Sequence, residues 1–100
     1  MKFKTMPYRK LEIKVREMTI GTMLLGIISA LREQNDENLE VRVMWIDDCE
    51  ISVLKGIDEV LNCGWNTEVK VQMLSCSLMT DNIKNQDFIK IVARVIEEEE

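Results

Sequence analysis

The chain has 100 residues, 46% of them hydrophobic, with 13 Lys plus Arg against 18 Asp plus Glu for a net charge of −5. That length suits one compact domain rather than two, and the acidic balance argues against indiscriminate binding to nucleic acid or anionic lipid. Histidine is absent, which removes the commonest general base and metal ligand, so neither a hydrolytic centre nor a cofactor is expected.

Residues 1–9 carry Lys2, Lys4 and Arg9 around Pro7, with no apolar stretch of the signal-peptide kind, and read as a basic N-terminal arm. From Lys10 to Arg16 the chain alternates. Leu11, Ile13 and Val15 point one way and Lys10, Glu12, Lys14 and Arg16 the other, as in a half-buried strand. Thr19 then offers an N-cap, and Ile20, Met23, Leu24, Ile27, Ile28 and Leu31 recur at helical spacing until the polar run Arg32 to Asn38. Leu25 and Ala30 widen this stripe past half the circumference, which predicts burial on more than one side and hence a partner chain. Gly21 and Gly26 lie inside this helix, where small residues permit close packing.

Alternation returns with Val41, Val43 and Trp45 against Glu40, Arg42 and Met44, a second strand. Asp47, Asp48 and Glu50 form an acidic connection to a second helix striped by Val53, Leu54, Ile57, Val60 and Leu61 and stopped at Gly64. Val69, Val71 and Met73 alternate with Glu68, Lys70 and Gln72 in a third strand. Ser77 to Asp87 is polar and aperiodic, which predicts a long loop. In Phe88 to Ile96, Phe88, Val92 and Val95 fit a helix, but the β-branched residues favour a final strand. Glu97 to Glu100 read as an acidic tail.

The expected fold is therefore α/β of the two-layer α+β kind, in the order β-α-β-α-β-β, with a mixed four-stranded sheet and two helices over residues 10–96. Both β-α-β units read as right-handed crossovers between parallel strands, and the last two strands as an antiparallel hairpin. Cys49, Cys63 and Cys76 are odd in number and lack a C-x-x-C pair, which predicts reduced thiols in a cytoplasmic setting, or a nuclear one in a eukaryote. The carboxylates of Asp47, Asp48 and Glu50 lack the glycine and ligand spacing of a calcium loop, so no metal is expected. The apolar stretch Ile20 to Leu31 is too short to span a bilayer, and no membrane is expected as a partner.

This order of elements resembles the Alba family of small nucleic-acid-binding proteins over roughly Lys10 to Glu97. Lys55-Gly56-Ile57-Asp58 parallels the family's Lys-Ala-Val-Asp at the start of the second helix. Thr67-Glu68-Val69-Lys70-Val71 and Ile89-Lys90-Ile91-Val92-Ala93-Arg94 look like its last two strands. The resemblance implies a dimer whose β-hairpin arms lie along DNA or RNA. The chain also departs from the family. Arg16-Glu17-Met18 stands where the family carries Gly-Lys-Lys, Asp47-Asp48-Cys49-Glu50 replaces a Gly-Arg turn, and the hairpin segment holds only Lys84 against Asp81 and Asp87.

Charge is uneven along the chain. Residues 1–16 balance to +5 and residues 17–100 to −10. The expectation is a non-enzymatic, dimeric, Alba-like nucleic-acid-binding protein. Lys10, Lys14 and Arg16 would contact phosphate, with Lys55 at the second helix start and Lys84 in the hairpin segment, while Tyr8 could stack on a base. The competing expectation is a protein-interaction module, or a subunit of a ribonucleoprotein assembly that has lost most direct nucleic-acid contacts. The lost basic positions and the acidic body favour this second expectation.

Overall fold

The computed structural model describes residues 16–36 and 38–96. In chain order these form β1 (Arg16–Thr19), α1 (Ile20–Glu33), β2 (Glu40–Trp45), β3 (Glu50–Lys55), α2 (Gly56–Leu61), β4 (Lys70–Asp81) and β5 (Gln86–Val95). The strands make one five-stranded mixed sheet in the order β1-β4-β5-β2-β3. All neighbours are antiparallel except β2 and β5, which run parallel.

Thr19 ends β1 and caps α1, its Oγ1 accepting the backbone N–H of Thr22 at 3.2 Å. The helix turns Ile20, Met23, Leu24, Ile27 and Leu31 onto the sheet. There they meet Val41 and Val43 of β2, Leu54 of β3, Val71 of β4 and Ile89, Ile91 and Ala93 of β5. Val60 of α2 completes this core. The N-terminus of α1 is also tied to the segment before β4, where Ile20 and Gly21 donate their N–H groups to the Val69 and Thr67 carbonyls at 2.8 and 3.0 Å. A Cβ on Gly21 would lie 3.1 Å from the Thr67 Cβ, so a side chain here would press the Thr67 segment back by a few tenths of an ångström.

The coarse architecture expected from the sequence holds, with two helices packed on one side of a mixed sheet. Its strand count does not. Four strands are expected and five are present among the described residues, because Glu50–Lys55 is a strand rather than the lead-in and first turn of the second helix. The reason is local: Ile46–Cys49 closes a β2–β3 hairpin in which Cys49 takes φ +56, a conformation that glycine or asparagine usually supplies. The second helix is consequently short, and Lys55 is its N-cap residue.

The expected crossovers change with it. β1 and β2 are parallel but have β4 and β5 between them, while β2 and β4 are antiparallel and separated by β5. Ser77–Asp87 is not a long loop either. β4 runs to Asp81 and β5 starts at Gln86, leaving a turn over 82–85 in which Asn85 has φ +54. The final segment is a strand, antiparallel to β4 as expected. Of the alternating stretch Lys10 to Arg16, only Arg16 falls within the described residues, as do none of the basic arm and none of the tail 97–100. Leu25, on the widened stripe of α1, is 66% exposed, so the sheet covers one side of that helix and nothing among the described residues covers the other. The three cysteines form no disulfide, and no helix among the described residues is long and apolar enough to cross a membrane.

Candidate interaction surface

Both helices pack on the sheet face that carries Val41, Val43, Ile89, Ile91 and Leu54. Strand alternation puts Arg42 and Met44 of β2, Ile51, Val53 and Lys55 of β3, Phe88, Lys90, Val92 and Arg94 of β5, and Met79 and Asp81 of β4 on the other face. No helix among the described residues covers it. Ile51, Val53 and Met79 are accordingly 58%, 45% and 41% exposed.

Phe88 is the exception, buried to 8% exposure on this open face. Arg42 covers it, with the guanidinium carbon 3.9 Å from the ring centroid. Two carboxylates hold the guanidinium there: Nε donates to Glu40 at 2.6 Å and an Nη to Asp81 at 2.8 Å. Glu40 is almost fully buried and faces the Arg42 guanidinium as its countercharge. The Arg42 guanidinium, with the backbone N–H groups of Lys84 and Ile83, holds the Asp81 carboxyl below its ordinary value. Asp81 and Glu40 in turn keep Arg42 firmly charged. Beside this cluster Met44, Ile51, Met79, Phe88 and Lys90 line a shallow pocket of about 200 Å³.

The other end of the sheet is organised by tryptophans. Trp45 donates its Nε1–H to Ser52 Oγ at 3.0 Å and meets Trp65 edge to face, with centroids 5.5 Å apart. In the adjoining β2–β3 turn, Asp47 pairs with Arg94 at 3.4 Å. The acidic stretch singled out in the sequence is therefore a hairpin turn with one of its carboxylates engaged across strands.

The expected phosphate contacts do not converge. Arg16 sits on β1 at one edge of the sheet, on the helix side, lining an open cleft of about 340 Å³ with Gly26, Met73 and Cys76. Lys55 ends β3 at the opposite edge and on the opposite face, four strand spacings away, roughly 19 Å. Lys84 lies in the β4–β5 turn, at the same end of the sheet as Lys55. Lys10 and Lys14 lie outside the described residues. Lys55 does share the uncovered face with Arg42, Lys90 and Arg94, the last three of which the sequence did not mark as phosphate contacts. Their only sequence signal was position, as the outward members of alternating strands.

Comparison of the chain with protein-family models, with curated proteins and with solved structures finds no match.

Proposed function

We propose that the chain is a binding module rather than an enzyme, and that it associates with protein through the uncovered sheet face and the β3 edge beside it. One observation carries this reading: Met44, Ile51, Val53, Met79 and Val92 flank the Arg42–Phe88 cluster on a sheet face that no described helix covers. Apolar side chains gathered on one exposed face mark interaction sites in soluble proteins more often than scattered exposed residues do. A fixed ion-pair cluster at one end of such a patch adds orientation. The acidic charge of the whole chain and the wide separation of Arg16 from Lys55 weigh against a phosphate-gripping surface.

Nucleic-acid binding by a dimer is the second reading, favoured by Lys90 and Arg94 on β5, the strand that also carries Phe88. On this reading the phosphate contacts move from the expected lysines to the open face. Placing the photo-crosslinker p-benzoylphenylalanine at Met44, with Ser29 on α1 as the control position, separates the two. The expected result on irradiation in cells is a protein adduct from Met44, a second copy of the chain included, and none from Ser29. Nucleic-acid adducts from Met44, or equal protein adducts from both positions, would overturn the interaction reading.

A further inference from the structure

We propose that the partner is a second copy of this chain, joined by antiparallel pairing of the two β3 strands about a two-fold axis at Ser52. The inference rests on the interaction reading above and names its partner.

β3 is the last strand of the sheet, and among the described residues nothing pairs with its outer side. Backbone bonding decides which of its groups face outward. Gly56 donates its N–H to the Leu39 carbonyl at 3.0 Å, in line with the register that sets Leu54 against Val41 and Ser52 against Val43. Even-numbered residues therefore bond to β2. The N–H of Lys55 turns the other way and is taken by Glu59 Oε1 at 2.8 Å. By the alternation of an antiparallel ladder, the N–H and C=O groups of Ile51 and Val53 also point out of the sheet. Their exposed side chains lie on the uncovered face. Strands at sheet edges are commonly guarded by a central lysine, a proline or a bulge, and β3 has none of these, its charges standing only at Glu50 and Lys55.

Self-pairing across a two-fold axis must oppose residues that share a face, which leaves few registers. With the axis at Val53, Ile51 would face the partner's Lys55, whose N–H already serves Glu59. With the axis at Ile51, Val53 would face the partner's Cys49 in the turn, and the ladder shortens. With the axis at Ser52, Ile51 faces the partner's Val53 twice over, each pair exchanging both backbone bonds and matching two exposed apolar side chains. Lys55 then lies against the partner's turn at Cys49, beside Asp48, so a cation meets an acidic turn at both ends of the ladder. The pairing joins two five-stranded sheets into one and makes the uncovered faces continuous.

Sedimentation velocity on the full chain tests this, with a dimer that dissociates in the micromolar range as the expected result. Ile51→Lys and Val53→Lys should each sediment as a monomer with an unchanged circular-dichroism spectrum. A covalent trap reads the register itself. Directly opposed residues of a non-hydrogen-bonded pair have Cα atoms about 4.5 Å apart, within disulfide reach. In a Cys49→Ser background, Ser52→Cys should therefore give a disulfide-linked dimer on mild oxidation and Val53→Cys should not. A monomeric wild type, a dimer that survives both lysine variants, or equal crosslinking from positions 52 and 53 would overturn the proposal. A monomeric wild type that still gives adducts with another protein from Met44 would overturn self-pairing alone, leaving the interaction reading in place.

Discussion

Arg42 sits over Phe88, its guanidinium carbon 3.9 Å from the ring centroid, while bridging Glu40 on its own strand and Asp81 at the far end of β4. One side chain thus does three things: it shields an aromatic ring from water, neutralises a buried carboxylate and ties the β4–β5 hairpin tip to β2. Replacing it with Gln keeps a polar head but leaves Glu40 buried without a countercharge. Arg42→Gln should lower Tm, and the Glu40→Gln, Arg42→Gln double variant should recover part of the loss, because the uncompensated charge is then gone. Thermal denaturation followed by circular dichroism checks both. A double variant no more stable than Arg42→Gln would show that Glu40 is not the group left in need.

The same cluster predicts a pH dependence. Asp81 is held below the ordinary value of 3.8, first by the Arg42 side chain and then by the backbone N–H groups of Lys84 and Ile83. A depressed folded-state value means that its contribution to stability is fully present above 3.8 and is lost as pH falls through the folded value. Carbon-detected NMR titration should therefore find the Asp81 carboxyl midpoint below 3.8 in the wild type and closer to it in Arg42→Gln. A midpoint unmoved by the substitution would remove Arg42 as the cause.

How far the sequence could be read follows from the same residues. The β2 alternation, the Thr19 cap and the α1 stripe are local patterns, and each is set by one element's own periodicity. β3 was hidden because Val53, Leu54, Ile57, Val60 and Leu61 fit a helical stripe as well as a strand followed by a helix. Val53 and Leu54 are both apolar yet face opposite sides of the strand, one exposed and one in the core. The strand passes directly into the helix at Gly56, which takes φ +83, and the β2–β3 turn that precedes the strand carries no glycine. The distal half of β4 lacks alternation because no helix among the described residues covers either of its faces, so Leu78 and Met79 are adjacent and both exposed. The Arg42–Asp81 contact joins residues 39 positions apart, and a single sequence has no term for such a pair.

The core predicts a conventional loss. Leu31 is fully buried at the last turn of α1 and belongs to the cluster with Leu39 and Val41. Truncation to alanine removes buried methyl groups and leaves a cavity that the sheet beneath cannot fill, a change worth roughly 2–5 kcal/mol. Urea denaturation of Leu31→Ala should show a lower midpoint at unchanged slope. Leu25→Ala, at an exposed position on the same helix, should fall within about 0.5 kcal/mol of the wild type.

The two glycines of α1 should respond to alanine with opposite signs. At Gly26 nothing lies within 4 Å of a built Cβ, so the substitution adds no contact and removes backbone freedom from the unfolded chain. Gly26→Ala should stabilise by about 0.5–1 kcal/mol. At Gly21 the added methyl would meet the Thr67 Cβ at 3.1 Å and the Thr67 carbonyl oxygen at 3.3 Å. That carbonyl also accepts the Gly21 N–H, so the helix cannot back away without stretching the bond that docks it beside β4. The propensity gain is present at both positions, but overpacking of this kind costs about 1–3 kcal/mol and should win at Gly21. Chemical denaturation of the two variants in parallel reads the sign directly. A stabilised Gly21→Ala would mean that the segment around Thr67 yields freely, and that α1 is held on the sheet by its apolar stripe alone.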